Sequence, residues 1–88
     1  MRIKKGFIIK KLGPGHVVVT VGQASKDFNG VIRLNNAGAF LWQSILDGAD
    51  SREKLVSAML ARYDDRDEAT AEADLGEFLD AVAVALEE

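Results

Sequence analysis

Apolar and polar positions alternate with period two along the first third of this chain and with helical period beyond it. The change falls within residues 32–42. Period two marks strands and a period near 3.6 marks helices, so an early sheet and a later group of helices are predicted. The first strand is expected from Gly6 to Leu12, with Phe7 and Ile9 on one face. Gly13-Pro14-Gly15 then makes a turn, with Pro setting φ at the first corner. His16 to Val21 is the clearest strand. Val17, Val19 and Val21 alternate there with His16, Val18 and Thr20, as in a sheet with one buried face. Gly22 to Asp27 reads as a polar loop, Asn29-Gly30 signals a tight turn, and Val31 to Leu34 forms the third strand. Three short strands this close in sequence pair as an antiparallel meander.

Everything after Asn35 is expected to be helical. Asn35 stands where an N-cap belongs, and Gly38 leaves room for close packing on the first turn. The first helix, Asn36 to Leu46, carries Phe40, Leu41, Trp42, Ile45 and Leu46 on a wide apolar face and stops at Asp47-Gly48. Either Asp50, in a capping box with Glu53, or Ser51 opens the second helix. That helix places Leu55, Val56, Met59, Leu60 and Tyr63 at helical spacing. The third and longest is expected over Asp67 to Leu86. The class is therefore α+β, a three-stranded antiparallel sheet followed by three helices, in one domain over residues 1–88.

Charge divides along the same line. Residues 1–33 hold seven Lys/Arg against Asp27, while residues 34–88 hold four against thirteen Asp/Glu, which gives +6 and −9 and the net −3. A basic sheet thus joins an acidic helical region, either as internal complementarity or as a field that orients a charged peptide across the junction. No apolar run approaches the ~20 residues that span a bilayer. The short Phe7-Ile8-Ile9 run after the basic N-terminus is no signal sequence, and a cytoplasmic location is the default.

Candidate chemistry is sparse. The chain has no cysteine and one histidine, His16, which has no companion ligand at a defined spacing. Ser25, Ser44, Ser51 and Ser57 lack the glycine-flanked elbow of hydrolase serines. Gly13-Pro14-Gly15 is not followed by Gly-Lys-Ser/Thr, so it is no phosphate loop. The acidic run at residues 64–68 lacks the ligand alternation of a calcium loop. No cofactor, no metal and no catalytic residue is expected, and the chain reads as a binding protein rather than an enzyme. On the third helix, Leu75, Leu79, Val82 and Leu86 lie mid-face as core. The flank with Ala71, Asp74, Phe78, Ala81 and Ala85 mixes one aromatic, one carboxylate and small residues, which suits the wall of a shallow groove.

The joint Leu34-Asn35-Asn36-Ala37-Gly38-Ala39-Phe40-Leu41-Trp42 resembles that of the PqqD-like family. So do the Gly6-Phe7 opening, the Val17-Val18-Val19 strand, Leu55-Val56, Tyr63-Asp64, and Asp74 with Phe78-Leu79. The resemblance implies a small winged-helix-like domain that recognises the leader of a ribosomally made precursor peptide. It also implies presentation of that peptide to a modifying enzyme, often a radical S-adenosylmethionine protein. The leader would add as a strand beside Val31, Ile32, Arg33 and Leu34 and pack against Asp74, Leu75, Phe78, Ala81 and Val82. Physics points to the same edge, because the last strand of a meander keeps a row of unpaired N–H and C=O groups. Two other readings stand beside this one. The free edge could pair with a second copy, making a homodimer rather than a monomer. A winged helix could also bind DNA, but the acidic later helices argue against nucleic acid.

Overall fold

The computed structural model describes residues 1–87. The element order is β1 (Arg2–Ile3), β2 (Phe7–Leu12), β3 (Gly15–Thr20), a one-turn α1 (Ala24–Asp27), β4 (Ile32–Leu34), α2 (Asn36–Leu46), α3 (Arg52–Arg62), α4 (Glu68–Ala81), a 3-10 turn (Ala83–Ala85) and β5 (Leu86–Glu87). Strands β2, β3 and β4 form the expected antiparallel meander, and β1 pairs antiparallel with β5.

The hairpin between β2 and β3 closes through Gly13 and Pro14, with Leu12 opposite Gly15. Gly13 occupies the first corner at φ +60°, so Pro14 sits at the second corner and not the first. Glycine leads there because the turn needs positive φ at its first central position. Gly6 is fixed for another reason. A Cβ on it would lie 2.6 Å from the Ala24 side chain, and its own φ is +93°. The segment expected as a polar loop after β3 therefore contains α1, packed hard against the start of β2.

Helix α2 has the predicted bounds. The Asn35 side chain accepts a hydrogen bond from the Gly38 N–H at 2.8 Å. Ser51 is the cap of α3, accepting from the Lys54 N–H. Asp50 instead pairs with the Lys54 ammonium at 3.0 Å, which lowers its pKa. Asp67 caps α4 through the Thr70 N–H at 2.8 Å, and that bond holds its carboxyl below the usual range.

The third helix ends at Ala81, short of Leu86. Beyond it the chain tightens into the 3-10 turn, Lys4 N–H donates to the Ala85 carbonyl at 2.8 Å, and Leu86–Glu87 pairs with Arg2–Ile3. Arg2 and Glu87 add an ion pair at 3.0 Å. Val82 and Ala85 are fully buried by this arrangement. Tertiary pairing and burial outweigh local helix periodicity here.

The core joins Phe7, Val18 and Leu34 of the sheet to Leu41, Trp42, Ile45, Leu55, Met59, Leu75, Phe78 and Val82. Opposed residues in an antiparallel ladder share a face. Phe7, Ile9, Val18, Ile32 and Leu34 therefore look inward, and Ile8, Lys10, Val17, Val19 and Arg33 look outward. The same ladder fixes where the backbone of β4 points. Hydrogen-bonded and non-bonded pairs alternate, and Val21 N–H bonds to Gly6 C=O at 2.8 Å. Counting from that pair, Val17 and Val19 bond toward β2, and His16 and Val18 bond toward β4. Leu34 and Ile32 take up those bonds, which leaves the N–H and C=O of Arg33 facing away from the sheet.

Candidate functional site

The free edge of β4 opens onto a cleft of about 160 Å³ between the strand-to-helix joint and α4. One wall is Arg33, Leu34, Asn35, Ala37, Gly38 and Leu41. The opposite wall is Asp74, Glu77, Phe78 and Ala81, closed at one end by Arg66. The close packing at Gly38 is local: a Cβ there would meet the Leu34 and Asn35 side chains at 3.3 Å. The bare helix turn lets the end of β4 lie tightly against α2 and shapes the floor of the cleft.

Of the residues expected to bind a peptide, Arg33, Leu34, Asp74, Phe78 and Ala81 line this cleft. Val31 is exposed just ahead of β4, and Ile32 is half-buried with its side chain turned inward. Leu75 and Val82 are fully buried in the core, so neither offers surface to a ligand. Phe78 is 5% exposed and belongs to both core and cleft, showing only a margin of its ring.

Arg66 escaped the sequence reading, where it sat inside an acidic run. Its Nε donates to an Asp74 carboxylate oxygen at 2.8 Å, and its Nη1 lies 3.8 Å from Asp65. The guanidinium also rests over the Tyr63 ring at 4.1 Å, and Tyr63 meets Phe40 edge-on at 5.8 Å. The Asp74 bond raises the Arg66 pKa still further. Asp74 therefore enters the cleft already paired, not as a bare attractor for cations. Its signal in the sequence was the lone base in the loop facing an acidic helix. Glu77, also on the wall, has no ion-pair partner among the described residues.

A second hollow lies on the other side of α2, bounded by Ile9, His16, Phe40, Gln43, Arg62 and Tyr63. His16 is half-buried there. Its Nδ1 is the buried side-chain nitrogen or oxygen that lacks a hydrogen-bond partner among the described residues. Among those residues no three or more His, Asp or Glu side chains gather as a metal site. No helix among them is long and apolar enough to cross a membrane.

Known proteins can be set against this geometry. No curated protein matches the chain. A solved structure, TbiB1 in complex with the TbiA(beta) leader peptide, is similar to it with a TM-score of 0.72 and 26% sequence identity. That similarity covers 96% of this chain and 90% of the other. The family described as coenzyme PQQ synthesis protein D (PqqD) matches residues 15–84, from the start of β3 into the turn that follows α4, and the chain belongs to that family.

Proposed function

We propose that the domain captures the leader segment of a ribosomally made precursor peptide by strand addition to β4 and presents the rest to a modifying enzyme. It does so as an adaptor, with no chemistry of its own. The observation that carries this reading is the unpaired edge at Arg33 running directly into the cleft against α4. TbiB1, similar in fold over almost the whole chain, is seen with a leader peptide, which supports the same class of ligand here. A radical S-adenosylmethionine protein is the enzyme class the family resemblance suggests.

The edge can offer about four backbone hydrogen bonds, each worth roughly 0.5–1.5 kcal/mol net. They come from the N–H and C=O of Arg33 and from the next groups in phase, at Val31 and Asn35. Ordering a flexible peptide costs about 2–5 kcal/mol and association costs more, so those bonds alone do not hold it. Selectivity then rests on peptide side chains that enter the cleft beside Leu34, Phe78 and Ala81. The paired charges of Arg66 and Asp74 favour a polar, near-neutral residue at the closed end. Glu77 favours a basic one at the rim.

The test is an amide-resolved NMR titration with the leader of a precursor peptide encoded beside this domain. Saturable shifts at Arg33–Asn35 and along Asp74–Ala81 are expected. The variant Arg33→Pro removes an N–H that the native ladder does not use, so it should fold normally and lose binding. Ile32→Pro removes a ladder bond and should destabilise the sheet instead. Full leader affinity in a folded Arg33→Pro variant would show that the edge is not the binding site.

A further inference from the structure

Apart from Arg33, the outward face of the β2–β3–β4 sheet takes no part in the cleft, yet it is built like a buried surface. Alternation places Ile8 and Leu12 of β2 there with Val17 and Val19 of β3, flanked by Val21 and Val31. Leu12 and Val31 are each 58% exposed and Val21 is 48% exposed. The helical layer lies on the opposite side of the sheet, with α2 packed against β3 and β4. Val17 is buried outside the main core, between Lys10 and Arg33, which stand directly opposite it on the two neighbouring strands. Their aliphatic stems cover it while their charges stay in water. Exposed apolar side chains gathered on one face of a small domain mark an interaction surface.

Charge selects the occupant. The patch carries two cations, Lys10 and Arg33, and no acid, while α4 on the far side carries Glu68, Glu72, Asp74, Glu77 and Asp80. A second copy stacked face to face by a two-fold axis would bring Lys10 and Arg33 against their own counterparts. A protein with an apolar patch rimmed by carboxylates would be drawn to the sheet and repelled from the helices.

We infer that this outer face is the docking surface for a second protein of that kind. The inference rests on the peptide-binding function proposed above for the identity of the partner, the enzyme that acts on the captured peptide. Arg33 ties the two surfaces together. It lines the cleft, and it also lines a shallow hollow with Leu12 and Val17 on the outer face. A peptide added beside β4 sends alternate side chains into the cleft and onto the outer face. The partner therefore meets a four-stranded surface whose last strand is the peptide. Binding of the one tightens binding of the other, reciprocally.

The experiment is calorimetry with the purified peptide-modifying enzyme encoded beside the domain, run with and without saturating leader. The domain variants are Ile8→Glu and Lys10→Glu, both at exposed positions and each checked for folding by circular dichroism. Each should weaken enzyme binding by at least about tenfold while leaving leader affinity unchanged. Leader should tighten enzyme binding to the wild-type domain. Enzyme affinity unaffected by both variants, or no enzyme binding to the leader-loaded wild-type domain, overturns the inference. Failure of the leader itself to bind would sink the peptide reading, and the variants would still report on docking.

Discussion

The two faces of the sheet are nearly equal in composition and opposite in fate. Inward, Phe7, Val18 and Leu34 are sealed beneath the helices. Outward, Ile8, Leu12 and Val21 stand open to solvent, Val19 is half-buried and Val17 is hidden. Two antiparallel faces usually differ in polarity, one facing the core and one facing water. Here the difference lies in what covers them. Apolar patterning alone therefore states where a surface can be buried, not whether this chain supplies the cover.

The comparison can be broken most forcefully with one charge. Val18→Lys places an ammonium with no partner in the core and should cost at least about 3 kcal/mol, seen as loss of cooperative unfolding in denaturant. Val21→Lys, at an outward position that is 48% exposed, should stay within about 0.5 kcal/mol of wild type. Equal losses would mean that the outer face is also part of the core. Val17→Ala sharpens the same contrast. Its cover is two flexible stems rather than packed helices, so the cost should fall to about 1 kcal/mol, below the ~2 kcal/mol expected of Val18→Ala. Asn35→Ala removes the cap that joins β4 to α2 and should cost about 1 kcal/mol. Loss of the cap should also broaden amide signals around Gly38.

The smallest effect is one of pH. Asp67 has a folded pKa depressed by the Thr70 N–H. Its contribution is therefore present above the unfolded carboxylate pKa and is lost as pH falls through the folded value. Amide protection in the first turn of α4 should decline over that acid range in the wild type. In Asp67→Asn, which keeps a capping oxygen without titrating, it should stay flat. An identical decline in both would assign the effect to another carboxylate.

Much of this was legible in the sequence. The Asn35 cap, the bounds of α2 and the order of the meander follow from local rules, since a cap, a tight turn and a periodicity each act within a few residues. What was hidden is non-local. Nothing near Val84 announces that Leu86 pairs with Ile3, and the helical pattern runs on past the point where the chain turns away. Val17-Val18-Val19 is apolar on both faces, so its buried side could not be chosen without knowing where the helices land. Within the cleft, the flank holding Asp74, Phe78 and Ala81 could be read from helical projection. The pairing of Arg66 with Asp74 could not, because it depends on how the loop before α4 folds back.

The pairing of β1 with β5 places Arg2 beside Glu87, and this has a consequence for chain connectivity. With its first and last strands in register, the domain can be rewired with little disturbance. A short linker across them, and a new opening at the exposed Gly48 between α2 and α3, gives a circular permutant with every element in place. Permutation also brings contacts that are 85 positions apart in the native order within a few residues of each other. Their loop-closure entropy then falls, and the permuted chain should close this seam early in folding rather than last.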